Sequence, residues 1–220
     1  MTTDWDSRYR EADTPWDKAV QHPYLQRFRP RSGERIRVLV PGCGRGHDAA
    51  ALARIFPAAE VIGIDISEAA LEQAALLQQP KNVTLRHADI FQLGDEWNDS
   101  IDFVWEHTCF CAIEPAQRIA YREVMRRVVK RGGLLIGAFF LTMEESENGG
   151  PPFNTPPEEF TEIFDASNGF RIHKKGLMNP TFHGREGEEW LVMMSRRSDW
   201  NHELLDWYLS PTVRSRRASP

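Results

Sequence analysis

The sequence predicts an α/β fold, an open and mostly parallel seven-stranded sheet with helices on both faces. Three observations carry this prediction. Short apolar runs alternate with helix-period segments from residue 36 to residue 141, the pattern of repeated strand–helix–strand units. The first run, IRVLV (36–40), leads into a glycine loop, PGCGRG (41–46), and then an alanine-rich stretch, the order of a strand, a tight turn and a helix. Finally, the second and third runs end in carboxylates, Asp65 and Asp89, where an open parallel sheet meets its ligand.

Taken in order, residues 1–30 carry Trp5, Tyr9 and Trp16 with little strand pattern. Trp5 and Tyr9 are four apart and share a face if the segment is helical. Thr14-Pro15 marks a turn and His22-Pro23 opens another short segment, and RPRSGER (29–35) is a loop. After the glycine loop a helix is expected over 47–56. EVIGID (60–65) is the second strand, and Ser67 caps the helix that follows, with Glu68 early in it to suit the dipole. NVTLRHAD (82–89) and SIDFVWEH (100–107) are the third and fourth strands. PAQRIAYREVMRRVVKRGG (115–133) reads as a helix with Ile119, Val124 and Val128 on its apolar face, stopped by the glycine pair. LLIGAFFL (134–141) is apolar throughout and therefore central. EESENGGPPFNTPP (144–157) is a loop, Pro157 opens a helix running to Asn168-Gly169, and FRIHKKG and EEWLVMMSRR close the sheet, as a hairpin. The basic tail 211–220 is expected to fray.

Composition excludes several classes. The chain has 220 residues, 41% apolar and 27% charged, enough for one domain with a full core. A net charge of -5 argues against nucleic-acid binding by bulk attraction. The first residues are polar and acidic, and no apolar run approaches a membrane span. A cytoplasmic protein without a membrane partner is expected, and a monomer, since no long apolar surface stripe stands out. The three cysteines, Cys43, Cys109 and Cys111, fit neither a disulfide framework nor a zinc site. They read as core or pocket thiols, and no metal is expected.

The spacing of Gly42, Gly44 and Gly46, G-x-G-x-G, differs from the G-x-G-x-x-G of nicotinamide enzymes, and no G-K-[ST] follows. This favours S-adenosyl-L-methionine over NAD or ATP. Asp65 is placed to accept from both ribose hydroxyls, and Asp89 with Ile90 lies where the adenine belongs.

The segments WDSRYREADTPWD (5–17), VLVPGCGRGHD (38–48), VIGIDIS (61–67), ADIF (88–91), FVWEHTCFCAIEPAQR (103–118) and GPPFNTPPEEF (150–160) together resemble the thiopurine S-methyltransferase superfamily, and within it the thiol, thiocyanate and halide methyltransferase branch. The resemblance spans nearly the whole chain. It implies a Rossmann-like class I methyltransferase fold in a single domain, 1–220, whose first 30 residues cover the cofactor. It also implies methyl transfer from S-adenosyl-L-methionine to a small thiol, hydrosulfide, thiocyanate or halide. By the same resemblance, Trp5, Tyr9 and Trp16 cover the methionine and sulfonium end. Gly42 contacts the carboxypropyl group, Asp65 the ribose, and Asp89 with Ile90 the adenine.

Glu106 stands where the branch has aspartate, a further cofactor contact, and His107 where it has tyrosine near the substrate. Both are departures. An imidazole there can accept a thiol proton or hydrogen-bond an anion, and serves equally as a pocket wall. The loss of tyrosine weakens the case for halide. Asp48 organises the loop, meets the cofactor's ammonium group or sits in a helix first turn. Phe110, Phe139, Phe140 and Phe153 are expected to shape an apolar cavity under a lid that includes Pro151 and Pro152. Arg185 is either an anion contact or a solvated surface residue. A small-molecule N- or O-methyltransferase and a noncatalytic cofactor-binding protein remain the alternatives.

Overall fold

The computed structural model describes residues 3–29, 35–143 and 149–197. The tail from 211 lies outside the described residues, as do the middle of the 29–35 loop and the start of the 144–157 loop. Seven strands form one sheet in the order β3-β2-β1-β4-β5-β7-β6. They are β1 (Arg37–Pro41), β2 (Glu60–Asp65), β3 (Val83–His87), β4 (Ile101–His107), β5 (Val129–Phe140), β6 (Phe170–Leu177) and β7 (Glu189–Arg196). The pairs among β1 to β5 are parallel. β7 enters antiparallel between β5 and β6, so the sheet is mixed.

The helices are α1 (Trp5–Arg10), α2 (His47–Ile55), α3 (Glu68–Ala75), α4 (Arg118–Val128) and α5 (Pro157–Ile163). Alternation along the strands builds two cores. Leu39, Ile62, Ile64 and Val104 join Tyr121, Met125, Phe160 and Phe164 of the α4–α5 side on one face. Val38, Val40, Val61, Phe103 and Trp105 join Ala49, Leu52 and Ala53 of α2 on the other. Ser67 caps α3 as expected, its hydroxyl accepting from Ala70 N–H at 3.1 Å.

Three local expectations are corrected. The fourth helix ends at Val128, not at the glycine pair, and β5 starts at once. Its pairing with β4 jumps from Ile101↔Val129 to Phe103↔Leu134, so Gly132 and Gly133 sit in an irregular stretch inside the strand. Ile119 is half exposed, because the buried face of α4 runs through Tyr121, Val124, Met125 and Val128. The helix after Pro157 stops at Ile163, well short of Gly169. Among the described residues no helix is long and apolar enough to cross a membrane.

Candidate active site

The carboxyl ends of β1, β2 and β4 converge on the glycine loop. Gly42 and Gly44 have φ of +57° and +51°, left-handed backbone that side chains disfavour. A Cβ on Gly44 would lie 2.6 Å from Tyr9 Oη, and one on Gly42 3.0 Å from Cys109 Cβ. Only glycine lets the N-terminal segment and the turn after β4 close on this loop. Asp65, at the end of β2, accepts from Gly44 N–H at 2.7 Å and from Ser67 N–H at 2.9 Å, one on each oxygen. Burial raises its carboxyl pKa above the usual range, opposed by those N–H groups. Each oxygen keeps a lone pair for a further donor.

Residues 3–29 lie across this end of the sheet. Asp4 caps α1 at Ser7 N–H, 3.0 Å. Asp6 reaches the start of α3, accepting from Ala69 N–H at 2.7 Å and Ser67 Oγ at 3.0 Å. Gln73 donates to Tyr9 O at 3.0 Å, and Arg45 of the glycine loop pairs with Asp17. Trp16 packs edge-on to Trp5 and Tyr9, at 5.3 and 5.9 Å between centroids, with its indole N–H on Tyr9 Oη at 3.3 Å. The Arg8 guanidinium covers a Trp16 face at 4.3 Å. The three expected aromatics therefore form one cluster beside Gly44.

Two expected carboxylates hold turns. Asp89 accepts from Phe91 N–H and from the Gln92 side chain, both at 2.9 Å, with Ile90 packed against the core. Glu106 is buried, and its Oε1 accepts from Cys109 and Phe110 N–H at 2.8 and 2.7 Å. Burial pushes its pKa up to about 7. The same burial lifts the three thiols above their usual range. Phe110 and Phe139 pack with Phe160 inside the core, which corrects the expectation that they shape a cavity. Phe153 ties its loop to the turn after β4, its N–H donating to Cys111 O at 2.7 Å.

Beside this end of the sheet lies a group of five side chains that sequence reasoning did not assemble. Asp48, in the first turn of α2, accepts from His22 N–H at 2.6 Å, Trp105 Nε1 at 2.7 Å and His107 Nδ1 at 2.8 Å. Burial would raise its pKa, but the three donors, His107 Nδ1, His22 N–H and Trp105 Nε1, outweigh that and hold it below the usual carboxylate range. An ionised carboxylate only accepts, so Nδ1 of His107 carries the proton. Arg185 Nη1 lies 3.2 Å from His107 Nε2, which makes Nε2 the acceptor and His107 neutral. Nη1 also donates to Glu189 Oε1 at 2.8 Å, and Nη2 to Trp16 O at 3.0 Å.

Glu189 is fully buried. Burial acts to raise its pKa, while the His22 hydrogen bond, with help from Thr181, keeps it at about 2. His22 Nδ1 accepts from Tyr24 N–H at 3.1 Å, so its proton is on Nε2, donating to Glu189 Oε2 at 3.0 Å. Burial lowers the His22 pKa, in keeping with this neutral form.

Nitrogen and oxygen atoms of His22, His107 and Glu189 lie within 4.8 Å of one another, the spacing of a metal site. The donor set does not suit a cation. His22 bound through Nε2 would need its proton on Nδ1, against Tyr24 N–H, and the Arg185 guanidinium already supplies the positive charge. Arg185 itself is buried, which removes the reading of a solvated arginine. Asp48 lies against His107 rather than acting only as a first-turn charge. His22 and Glu189 were missed, and no local sequence signal marks either.

The comparisons place the chain in a family. Residues 1–191 match the thiopurine S-methyltransferase family. The chain is similar to probable thiol methyltransferase 2 of Arabidopsis thaliana, 33% identical over 166 residues, covering 72% of this chain and 70% of that protein. Thiocyanate methyltransferase 1 of Brassica oleracea is 33% identical over 164 residues with the same coverage. A solved Burkholderia thailandensis 1,6-didemethyltoxoflavin-N1-methyltransferase, with 1,6-didemethyltoxoflavin and S-adenosylhomocysteine bound, superposes with a TM-score of 0.67 at 18% identity, covering 89% of this chain and 86% of that one. That likeness shows the shared fold. The chain belongs to the thiopurine S-methyltransferase family and is an S-adenosylmethionine-dependent methyltransferase.

Proposed function

We propose that the protein methylates a small sulfur nucleophile or halide, the acceptor class being thiols, hydrosulfide, thiocyanate or halide. The observation that carries this reading is the His107–Arg185 pair, Nε2 to Nη1 at 3.2 Å, which meets the aromatic cluster where Arg185 reaches Trp16 O. The names of the plant relatives, thiol and thiocyanate methyltransferases, support it.

The residues suit S-adenosyl-L-methionine. The left-handed loop at Gly42 and Gly44 leaves no room for Cβ atoms, and Asp65 retains acceptor capacity beside it. Gly42 would hold the carboxypropyl end, Asp65 the ribose, and Ile90 with the Asp89 turn the adenine. Trp5, Tyr9 and Trp16 would enclose the sulfonium end, and Glu106 would fix the turn that borders it. The cofactor supplies an activated methyl group, already bearing its leaving group. Alignment and exclusion of water remain for the protein, and positioning supplies much of the rate. Residues 1–30 act as the cover of a single domain, fastened by Asp6 and by the Arg45–Asp17 pair.

The test is a calorimetric titration with S-adenosyl-L-methionine, with NADH as comparison, followed by a methyl-transfer screen of thiols, hydrosulfide, thiocyanate and iodide. Saturable binding of the first alone, with turnover of at least one of these acceptors, is expected. Transfer only to amines or hydroxyls would overturn the acceptor class.

A further inference from the structure

We propose that the buried group around His107 restricts the acceptor to nucleophiles that arrive carrying a proton, thiols and hydrogen sulfide, and that His107 Nε2 takes that proton. This inference rests on the placement of the acceptor beside His107. Its first support is charge. Asp48 and Glu189 are carboxylates, Arg185 is the one cation among the five, and His22 and His107 are neutral by their hydrogen bonds. The group therefore holds one net negative charge, and the next residue, Glu106, is another buried carboxyl.

The second support is that Arg185 is already paired with a buried carboxylate. Its Nη1 donates to Glu189 and faces His107, its Nη2 donates to Trp16 O, and Phe140 and Phe182 flank the guanidinium at 5.3 and 5.4 Å. An incoming thiocyanate or halide would meet a net negative group whose one cation already neutralises Glu189. A neutral thiol meets no such repulsion.

The third support is access and direction. His107 keeps 14% of its side chain exposed, whereas His22 and Glu189 have none. Its Nδ1–H is fixed on Asp48 and its ring stacks on Phe182 at 5.9 Å, which aims the Nε2 lone pair. When an S–H group displaces Nη1 from Nε2, Arg185 keeps its hold on Glu189. The S–H bond breaks and its proton passes to Nε2. The imidazolium so formed lies between Asp48, 2.8 Å from Nδ1, and Glu189, 4.0 Å from Nε2, and cancels the extra negative charge. The sulfur's electron pair then forms the bond to the methyl carbon as the methyl–sulfonium bond breaks. That second pair stays on the sulfur of S-adenosylhomocysteine, and the proton leaves Nε2 for solvent.

The experiment compares wild type with His107→Gln at one neutral pH. The acceptors are an alkyl thiol, an acidic aromatic thiol already ionised at that pH, thiocyanate and iodide. Wild type is expected to favour the alkyl thiol, with kcat/KM for the ionised thiol, thiocyanate and iodide lower by about 100-fold or more. His107→Gln is expected to lose about 10²–10⁴-fold on the alkyl thiol and less than about tenfold on the ionised thiol. Calorimetry of S-adenosyl-L-methionine binding controls for folding. A readout independent of turnover is the thiolate absorbance of the alkyl thiol bound with S-adenosylhomocysteine, expected in wild type and lost in the variant. Equal loss on both thiols, or absence of the thiolate band in wild type, would overturn the base. Iodide or thiocyanate turned over as well as the alkyl thiol would overturn the selection while leaving the small-nucleophile reading standing. Transfer to none of the four by a protein that binds the cofactor would overturn both.

Discussion

The two sides of the site are built in opposite ways. On the β1–β2–β3 side, the expected cofactor residues sit at strand ends, and their polar contacts are made with backbone N–H groups, mostly of local turns: Asp65 on Ser67 and Gly44 N–H, Asp89 on Phe91 N–H, beside the glycine backbone itself. On the β4–β7 side, side chains numbered 22, 48, 107, 185 and 189 converge from distant segments into a buried charged group, with chain separations up to 167 residues in a single hydrogen bond. Turns make a surface that backbone geometry alone can hold. A buried charged group stands only if every partner is present, because each lone ion would be left without water. The difference predicts that the second side is the more fragile of the two.

Arg185→Met gives the largest effect. It leaves two buried carboxylates with no cation, and a loss of about 3–5 kcal/mol in urea denaturation is expected. A loss under about 1 kcal/mol would mean that His22 and Thr181 suffice for Glu189, and the contrast between the sides would collapse. Gly44→Ala comes next. It places a methyl group 2.6 Å from Tyr9 Oη on backbone at φ +51°. A cost of about 1–3 kcal/mol and a drop of more than about tenfold in affinity for S-adenosyl-L-methionine are expected. Unchanged affinity would show that the N-terminal cover does not depend on that close approach.

The smallest effect is in pH dependence, and its sign differs within the β4–β7 side. Asp48 and Glu189 sit at about 2, below their usual 3.8 and 4.5, so the stability they add is complete above pH 4.5 and lost as pH falls toward 2. Glu106, at about 7 against a usual 4.5, behaves oppositely: its contribution is complete below pH 4.5 and lost as pH rises through 7. Glu106→Gln keeps an oxygen for the Cys109 and Phe110 N–H groups. It should therefore stabilise the protein at pH 8 by about 1–2 kcal/mol relative to pH 5. A variant equally affected at both pH values would show that Glu106 is ionised throughout.

The same contrast explains what could be read from the chain. The strands, the Ser67 cap, the glycine loop and Asp65 follow from patterns a few residues long. The helix end at Val128 did not, because sheet pairing captured the residues beyond it: β5 begins at Val129, where a helix had been expected to continue. Glu106 and Asp89 were recognised by place, yet their observed bonds go to neighbouring N–H groups, a detail that depends on the turn each caps. Arg185 stood between an anion contact and a solvated surface residue until folding buried it against Glu189. His22-Pro23 read as the opening of a short segment, and only the burial of His22 beside Trp105 and His107 shows its place in the group.

The central claim is that one side holds the cofactor and the other the acceptor. Calorimetric titration of wild type, Asp65→Ala and His107→Gln with S-adenosyl-L-methionine tests it most directly. We expect saturable binding in wild type, an affinity within about threefold of it in His107→Gln, and a loss of about 10-fold or more in Asp65→Ala, the size of one or two lost hydrogen bonds. Tight binding retained by Asp65→Ala and lost in His107→Gln would contradict the division.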